Sequence, residues 1–360
     1  MEEYKNNKIK VAVIDTGIDI TDKDLNGRYK ILEEIQVNDI KDINGHGTNV
    51  CKTIDMLSNS VEIYPINIFE STGRTSSSKL LLALEQLKNT DIKIINISAS
   101  TINNSKIREL NNICRRLAEM NKIIVSAKHK YHDLKKISIP AVFDSVIGVN
   151  GSSKINNDYD FFYDENIKIE METNGNERIV SGIRGLTHFG KSSRATAVAS
   201  AIISNIIAKE GDLSCKELRL YLAKISKNKE NICEKNKLTS IVDIGSKSYF
   251  MGDYSKCYRY YEYICLPSDI EEMYIETVIR IINGYFSSKN INYEFVRKYS
   301  LMNNFTGIDN YSLFVFLEKI NRTFNVEIDY TLFFLDEVID ITKLIKIVYY
   351  YKKCVNAFKV

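Results

Sequence analysis

The strongest constraint on the fold is the alternation of short β-branched runs with longer amphipathic stretches over the first two hundred residues. Five runs have the length and composition of strands: KVAVIDTG, VEIYPINIF, IKIINISAS, KIIVSAK and SVIGVNG. Amphipathic stretches such as SSKLLLALEQLKN and IRELNNICRRLAEMN lie between several of them. Strands that alternate with helices form parallel sheets with helices on both faces. We therefore predict a doubly wound α/β domain.

The end of this domain is marked by a change in composition near residue 228. Before it, the apolar run RATAVASAIISNIIAK over 194–209 predicts a helix buried in the core, since it is too short to span a membrane. After it, the pattern becomes polar, then Tyr-rich, and finally helical without β alternation. We predict an α/β domain over 1–228, a linker over 229–268 and a small all-α domain over 269–360.

Composition excludes several classes of function. The 49 basic and 46 acidic residues leave a net charge of only +3, which argues against a nucleic-acid or membrane-surface partner. The opening MEEYKNNKIKVAV lacks the apolar region of a signal peptide, so we expect a cytoplasmic protein. The seven cysteines are scattered without CxxC spacing, which predicts reduced thiols and no metal site. We expect no cofactor.

Three short motifs carry the side chains of a nucleophilic hydrolase. Asp15 ends the first apolar run, at the sheet edge where α/β proteins collect their chemistry, although an Asx turn is the alternative for Asp15 alone. NGHGTNVCKTI places His46 between two glycines at a helix start, where an imidazole can act as a general base. KSSRATAVAS places hydroxyl groups at the mouth of the buried helix, whose N–H groups can support an oxyanion.

The order Asp, His, Ser along one chain is the order of the subtilisin catalytic triad. From about residue 8 to 226 the chain resembles the subtilisin-like (S8) serine peptidases: VAVIDTGID is similar to their Asp motif and GHGTNV to their His motif. The resemblance implies a serine endopeptidase in which Ser193 attacks a peptide carbonyl. His46 would then transfer the proton, and Asp15 would orient His46.

The serine motif departs from the family pattern Gly-Thr-Ser-x-Ala-x-Pro and admits two registers. With the nucleophile at Ser193, Ala195 takes the small-residue position, but Lys191 replaces the glycine. With the nucleophile at Ser192, the glycine is recovered, but Arg194 falls where a small residue must pack. We predict Ser193 as the nucleophile and the other hydroxyl as a helix N-cap.

The resemblance also implies an oxyanion residue and a substrate-binding strand. The family's oxyanion residue is an Asn, but the matching stretch IIVSAKHKYHD has His129 at that position, with Lys130 as the alternative donor. IINISAS is similar to the strand that lines the substrate cleft and pairs with extended substrate. Ser100 replaces a glycine that lines the first specificity pocket, which would narrow it. The substrate-binding residues implied are Asn96, Ser98, Ala99 and Ser100.

The chain looks most like the intracellular S8 peptidases associated with modified-peptide, or bacteriocin-type, biosynthesis. This resemblance implies that the partner is a ribosomally made precursor peptide whose leader is removed. A peptide-modifying enzyme is a second implied partner. Two alternatives stay open, and the replacement of the oxyanion Asn and of the motif glycine favours the first of them. One is a pseudo-protease that binds the peptide without efficient cleavage, and the other is a scaffold that docks a maturation enzyme.

The C-terminal region resembles a different family. FTGIDNYSLFVFLEKINRTFNVEIDYT, over 305–331, is similar to the middle of acyl carrier proteins, and the resemblance extends over about 270–353. The residues that match the carrier pattern are Gly307, Asp309, Phe324 and Ile328. The serine that bears phosphopantetheine falls on Asn310, which has no hydroxyl, and Ser312 is a poor substitute. The resemblance therefore implies a degenerate carrier domain; periodicity alone predicts only a small helical domain.

Overall fold

The computed structural model describes residues 8–226, except 26, 34, 36, 38, 104, 131–135 and 184, together with residues 261 and 264–355. The linker predicted over 229–268, with Cys233 and Cys257, lies almost wholly outside the described residues. Contacts divide the chain into two compact units. The sheet unit comprises Met1–Asn176 and Gly190–Gly252, and the helical unit comprises Glu177–Phe189 and Asp253–Val360.

The sheet unit is built on a seven-stranded sheet with the strand order β2-β1-β3-β4-β5-β7-β6. Neighbouring strands are parallel, except that β6 and β7 pair antiparallel. The five strands predicted from β-branched runs are confirmed. The strands are β1 (Ile9–Asp15), β2 (Val61–Asn67), β3 (Ile94–Ile97), β4 (Ile123–Ala127), β5 (Val146–Ser152), β6 (Phe161–Tyr163) and β7 (Met171–Asn174).

Helices cover both faces of this sheet, as the alternating pattern predicts. One face packs against α2 and α3 in a single apolar cluster that includes Ile14, Ile95 and Ile97. The other face contacts α1 and α4. The helices are α1 (His46–Leu57), α2 (Ser77–Gln86), α3 (Ile107–Glu119), α4 (Lys191–Glu210) and α5 (Cys215–Ile225), and a short 3₁₀ helix follows α2 at Leu87–Asn89.

The long apolar helix α4 is the core helix that the run over 194–209 predicts. It begins three residues earlier, at Lys191, and its residues from Arg194 to Ser204 are all buried. Among the described residues, no helix is both long enough and apolar enough to cross a bilayer.

In its described residues, the helical unit combines five helices with a β-hairpin. Its helices are α6 (Ser268–Tyr285), α7 (Tyr293–Lys298), α8 (Leu313–Phe324), α9 (Leu335–Ile339) and α10 (Ile341–Tyr350), with a 3₁₀ turn at Tyr330–Leu332 and a π-helical turn at Tyr351–Val355. The hairpin consists of β8 (Arg178–Gly182) and β9 (Gly185–Phe189), which pair antiparallel. One apolar core joins these elements, and it includes Ile179 of the hairpin.

The hairpin is the main difference from the predicted domain boundaries. In sequence it lies inside the predicted α/β domain, between β7 and α4, but by its contacts it belongs to the helical unit. The physical reason is the burial of Ile179, which has no exposed surface and packs among helical residues such as Phe333. The second unit is therefore discontinuous in sequence.

Candidate functional site

The buried carboxylate of Asp15 results from the side-chain alternation of strand β1. Ala12 and Ile14 pack against the α2–α3 face of the sheet, so Asp15 lies on the opposite face, toward α1 and α4. Only 1% of Asp15 is exposed, and its Oδ1 accepts a hydrogen bond from the backbone N–H of Thr16 at 2.7 Å. A buried carboxylate at this position requires a partner that donates to it.

That partner is His46, the first residue of α1. Its Nδ1 lies 2.7 Å from Oδ1 of Asp15. When Nδ1 donates to the carboxylate, Nε2 is left as the nitrogen that can accept a proton. The imidazole is 35% exposed, so substrate and solvent can reach it. Two of the predicted triad residues are thus brought together in the geometry of an oriented general base.

Gly47, directly after His46, lets the start of α1 lie close to the backbone that follows Asp15. A Cβ atom at Gly47 would clash with the carbonyl oxygen of Gly17, which follows the Asp15 strand. The N–H of Gly47 instead donates to Oγ1 of Thr16 at 2.8 Å. The close approach of the two motifs therefore requires glycine at position 47, whereas Gly17 is required by its φ of 97° and by the carbonyl oxygen of Ile40, which a Cβ there would meet.

A residue that the sequence analysis missed holds the turn before His46. Asp42 is 3% exposed and accepts hydrogen bonds from the N–H groups of Asn44 at 2.9 Å, Gly45 at 2.8 Å and Thr48 at 3.0 Å. The hydroxyl of Thr48 donates a fourth bond to Asp42 at 2.7 Å. An Asp shortly before a helix start is a capping signal that could have pointed to it.

The electrostatics of the pair favour a charged imidazole. Burial lowers the pKa of His46, but the charge and hydrogen bond of Asp15, with a further contribution from Asp42, outweigh that effect. The pKa of His46 is therefore raised above its ordinary value. An imidazole with a pKa nearer to neutrality accepts and returns a proton efficiently at physiological pH.

The predicted nucleophile lies at the start of α4. Ser192 and Ser193 are both partly exposed in the first turn of this helix. Helix α4 contacts α1, which begins at His46, and it also contacts β1, which ends at Asp15. The first turn of a helix leaves backbone N–H groups without intrahelical partners, so this turn can also donate to an oxyanion.

The predicted oxyanion residue and part of the substrate strand line one cleft. A cleft of about 320 Å³ has Ala99, Ser100 and His129 among its lining residues. The backbone N–H of His129 donates to Oγ of Ser138 at 2.9 Å, which fixes the chain after β4. Burial and the charge of Lys130 lower the pKa of His129, so its ring is neutral near pH 7 and has one N–H to donate.

Asn96, in contrast, serves the interior of the sheet. It has no exposed surface, its amide nitrogen donates to Oγ of Ser200 on α4 at 2.9 Å, and its Oδ1 accepts from Ser98 at 3.1 Å. Strand β3 also pairs with β1 on one side and with β4 on the other, so no edge is left for substrate at Asn96. Of the four residues predicted to bind substrate, Ser98, Ala99 and Ser100 lie beyond this pairing, in the segment that follows the strand.

Comparison with known proteins shows the family. The model of the Subtilase family, Peptidase S8, matches residues 6–238. The chain belongs to the subtilase family. Subtilisin BL of Lederbergia lenta is 30% identical to this subtilase over 158 residues, which are 41% of this chain and 57% of that protein. The minor extracellular protease Epr of Bacillus subtilis is 28% identical over 158 residues, which are 41% of this chain and 24% of that protein.

A solved structure described as a lanthipeptide protease is also similar to this subtilase. It has 18% sequence identity and a TM-score of 0.49, and the match covers 69% of this chain and 85% of that one. The relatives named above are matched over about a quarter to just over half of their own length. The helical unit after residue 238 lies outside the family match.

The backbone at the start of α4 bears on the register of the serine motif. Lys191 has a φ of 60°, in the left-handed region that glycine adopts most readily. Lys191 is the residue that replaces the family's glycine when Ser193 is the nucleophile. A Cβ at Gly151 would lie 2.7 Å from the carbonyl carbon of Lys191, so β5 closely supports this conformation. The left-handed backbone favours the Ser193 register.

The buried arginine of the serine motif is compensated by a partner that is distant in sequence. Arg194 is 1% exposed, and its guanidinium donates to both carboxylate oxygens of Asp158, at 2.8 and 2.7 Å, and to the carbonyl oxygen of Asn174 at 3.0 Å. A buried ion pair of this bidentate kind satisfies most of the arginine's donors. The interior therefore accepts arginine at 194, the position that would have to hold a small side chain if Ser192 were the nucleophile.

Proposed function

We propose that this subtilase is a serine endopeptidase that cleaves through an acyl-enzyme. Ser193 attacks the peptide carbonyl while Nε2 of His46 takes its proton and then gives that proton to the leaving amine. Asp15 holds the ring and stabilises the imidazolium. A water molecule, deprotonated by His46, then releases the acyl group. The 2.7 Å contact between Asp15 and His46 is the observation that carries this activity.

For the oxyanion we propose two kinds of donor. The first turn of α4 supplies backbone N–H groups, and His129 supplies a side-chain N–H in place of the family's Asn. Support for His129 comes from its position in the cleft that also contains Ala99 and Ser100. Lys130, which is exposed at the next position, is the alternative donor.

The substrate that we propose is an extended peptide lying along residues 98–100, and more specifically the leader of a ribosomally made precursor peptide. The sequence resemblance to maturation peptidases is the source of this narrower assignment, and it also makes a peptide-modifying enzyme a candidate partner. The thiols of Cys51, Cys114, Cys215 and Cys265 are free. Free thiols fit the cytoplasmic location that we propose, because that compartment keeps cysteines reduced.

A second candidate function is peptide binding without efficient cleavage. The replacement of the oxyanion Asn by His129 and of the motif glycine by Lys191 favours it. Losing one oxyanion donor typically lowers the rate about 100- to 1,000-fold. A chain with this loss would retain the cleft but not the turnover.

A fluorophosphonate probe with a matched variant separates the two functions. The probe reacts only with a serine that a neighbouring base activates. An active peptidase is labelled stoichiometrically and cleaves a peptide substrate, whereas His46→Ala is neither labelled nor active. A binding module gives no labelling in either protein while still retaining the peptide.

For the helical unit we propose a carrier-like fold that bears no prosthetic arm. Asp309 accepts hydrogen bonds from the N–H groups of Tyr311 and Ser312 at the start of α8, and the Ser312 hydroxyl donates to Asp309 at 2.8 Å. Asn310 stands at the attachment position without a hydroxyl. Incubation with coenzyme A and a phosphopantetheinyl transferase should leave the intact mass unchanged. A stoichiometric gain that maps to Ser312 would contradict this assignment.

A further inference from the structure

The end of strand β7 and the residue after it lie against the first turn of α4, and all of these residues belong to the sheet unit. The N–H of Lys191 donates to the carbonyl oxygen of Gly175 at 2.7 Å. Two residues after Ser193, the carbonyl oxygen of Ala195 accepts a hydrogen bond from the buried hydroxyl of Thr173, also at 2.7 Å. The turn that contains Ser193 is therefore fixed to the end of β7 on both sides of the serine.

The side chain directly after Ser193 supplies a third connection. Nη1 of the buried Arg194 donates to the carbonyl oxygen of Asn174, between the two contacts described above, and Nη2 donates to both carboxylate oxygens of Asp158. Nδ2 of Asn174 donates to the same carboxylate at 2.8 Å, and Asp158 is itself only 6% exposed. Asp158 thus joins the serine helix to the end of the strand inside the sheet unit.

Stability alone does not account for an ion pair at this depth. Taking two charges out of water costs free energy that their attraction recovers only in part, so an apolar pair of similar size is often as stable. What an apolar pair lacks is direction, because the planar guanidinium forms two parallel hydrogen bonds to a carboxylate in one fixed geometry. A bidentate contact one residue after Ser193 therefore fixes the orientation of the turn more closely than apolar packing would.

We infer that Asp158 and Arg194 are positioning residues that hold Ser193 in place for attack on the peptide carbonyl. The inference rests on the proposed peptidase function. The left-handed backbone of Lys191 is a further reason, because such a conformation persists only where its surroundings hold it in place. In this role the two side chains act through the backbone of the turn, so their loss lowers the rate of attack and leaves the binding of peptide unchanged.

The test replaces the ion pair by an apolar pair in the full-length chain. Arg194→Met combined with Asp158→Leu avoids the unpaired buried charge that either single change would leave, so the melting temperature should stay near that of the wild type. Its kcat should nevertheless fall roughly 10- to 100-fold with KM unchanged, through misplacement of the serine. Amide hydrogen–deuterium exchange over 190–196 should rise about 5-fold, the equivalent of one hydrogen bond, while exchange over 15–50 stays at the wild-type rate.

A matched control is the pair of Arg219 and Glu170, which is also bidentate and joins α5 to the residue before β7. Arg219→Met combined with Glu170→Leu should leave kcat and the exchange over 190–196 at wild-type values. Arg194→Lys is a milder second variant, because it keeps the charge but loses the planar fork, and its kcat should fall severalfold.

Wild-type kcat in either Arg194 variant, or an equal loss of kcat in the control, would overturn the positioning role. Wild-type exchange over 190–196 in the Arg194→Met/Asp158→Leu chain would overturn it as well. A wild-type chain without turnover or probe labelling would contradict the peptidase function alone, because exchange over 190–196 still shows whether the ion pair holds the turn.

Discussion

Two helix starts carry the proposed catalytic groups, and they are held in different ways. The start of α1 at His46 is supported within the sheet unit by Asp42 and by the Asp15–Thr16 corner. The start of α4 follows a hairpin that belongs to the helical unit and passes through a left-handed Lys191. The first is thus supported by the side chains of Asp42 and Thr16, whereas at Lys191 the second is supported by backbone, because the N–H of Lys191 donates to the carbonyl oxygen of Gly175 at 2.7 Å.

The two proposed catalytic groups therefore depend on different kinds of support. Changes at Lys191 or Gly175 should alter the turn that contains Ser193 and leave the Asp15–His46 pair intact. Changes around Asp42 should do the opposite.

The largest effect is expected at the nucleophile itself. Ser193→Ala should reduce kcat by about 10⁶-fold, since removing the nucleophile of a triad removes nearly all covalent catalysis. Ser192→Ala should retain most of the activity, because the predicted capping role of the Ser192 hydroxyl is wrong: Gly190 is the N-cap of α4 and no side chain caps it. Steady-state cleavage of a peptide substrate measures both. Loss of activity in Ser192→Ala with retention in Ser193→Ala would shift the motif by one residue.

The next largest effect is expected at Asp15. Asp15→Asn should lower kcat about 10⁴-fold, because the amide no longer selects the productive tautomer of His46. The general base must be neutral, so activity falls as the pH drops through the pKa of His46. Asp15 raises that pKa and burial lowers it, so in Asp15→Asn the acidic limb of kcat/KM should move to lower pH. If the acidic limb of the kcat/KM profile stays at the wild-type pH, Asp15 does not set the charge of His46.

A smaller effect is expected at the oxyanion position. His129→Ala should lower kcat/KM about 100- to 1,000-fold, and His129→Asn should recover part of the loss by restoring an N–H donor. The pKa of His129 is lowered, so this contribution should not change with pH above neutrality. Lys130→Ala is the control. A large loss in Lys130→Ala with wild-type rates in His129→Ala would move the role to the lysine.

The smallest effect tests the support of the base. Asp42→Asn keeps the size of the side chain but loses acceptors for the turn before His46, so kcat should fall roughly tenfold and stability by about 1–3 kcal/mol. Asp39→Asn, at an exposed carboxylate of the same loop, should change neither. Amide hydrogen–deuterium exchange over 190–196 should remain at the wild-type rate, since the start of α4 is held by Gly175 and not by Asp42. Faster exchange there in Asp42→Asn would erase the contrast between the two helix starts.

The sequence predicted the sheet unit well, because fully buried parallel strands have long β-branched runs and the Asp15 and His46 motifs are local. It did not predict β6, β7 or the hairpin, whose strands are short and mix polar with apolar residues. The hairpin's place in the helical unit depends on the contact of Ile179 with Phe333, which are more than 150 positions apart. Short-range patterns contain no signal for such a pairing.

The candidate site also contains features that the sequence could predict and features that it could not. The need for glycine at Gly47 could be predicted from the motif alone, because close backbone approach favours only that residue. The burial of Arg194 could not, because Asp158, which pairs with it, gives no sign of that role in the sequence. Asp42 lay within reach of a capping argument but was not singled out.

The most direct test is to map the fluorophosphonate adduct on the wild-type chain by peptide mass spectrometry. One modified residue in the peptide that contains Ser192 and Ser193 is expected, and the fragment ions should place the adduct on Ser193. The adduct should disappear in His46→Ala, which lacks the base. An adduct on Ser192, on a serine outside α4, or on no residue would contradict a catalytic site formed by Asp15, His46 and Ser193.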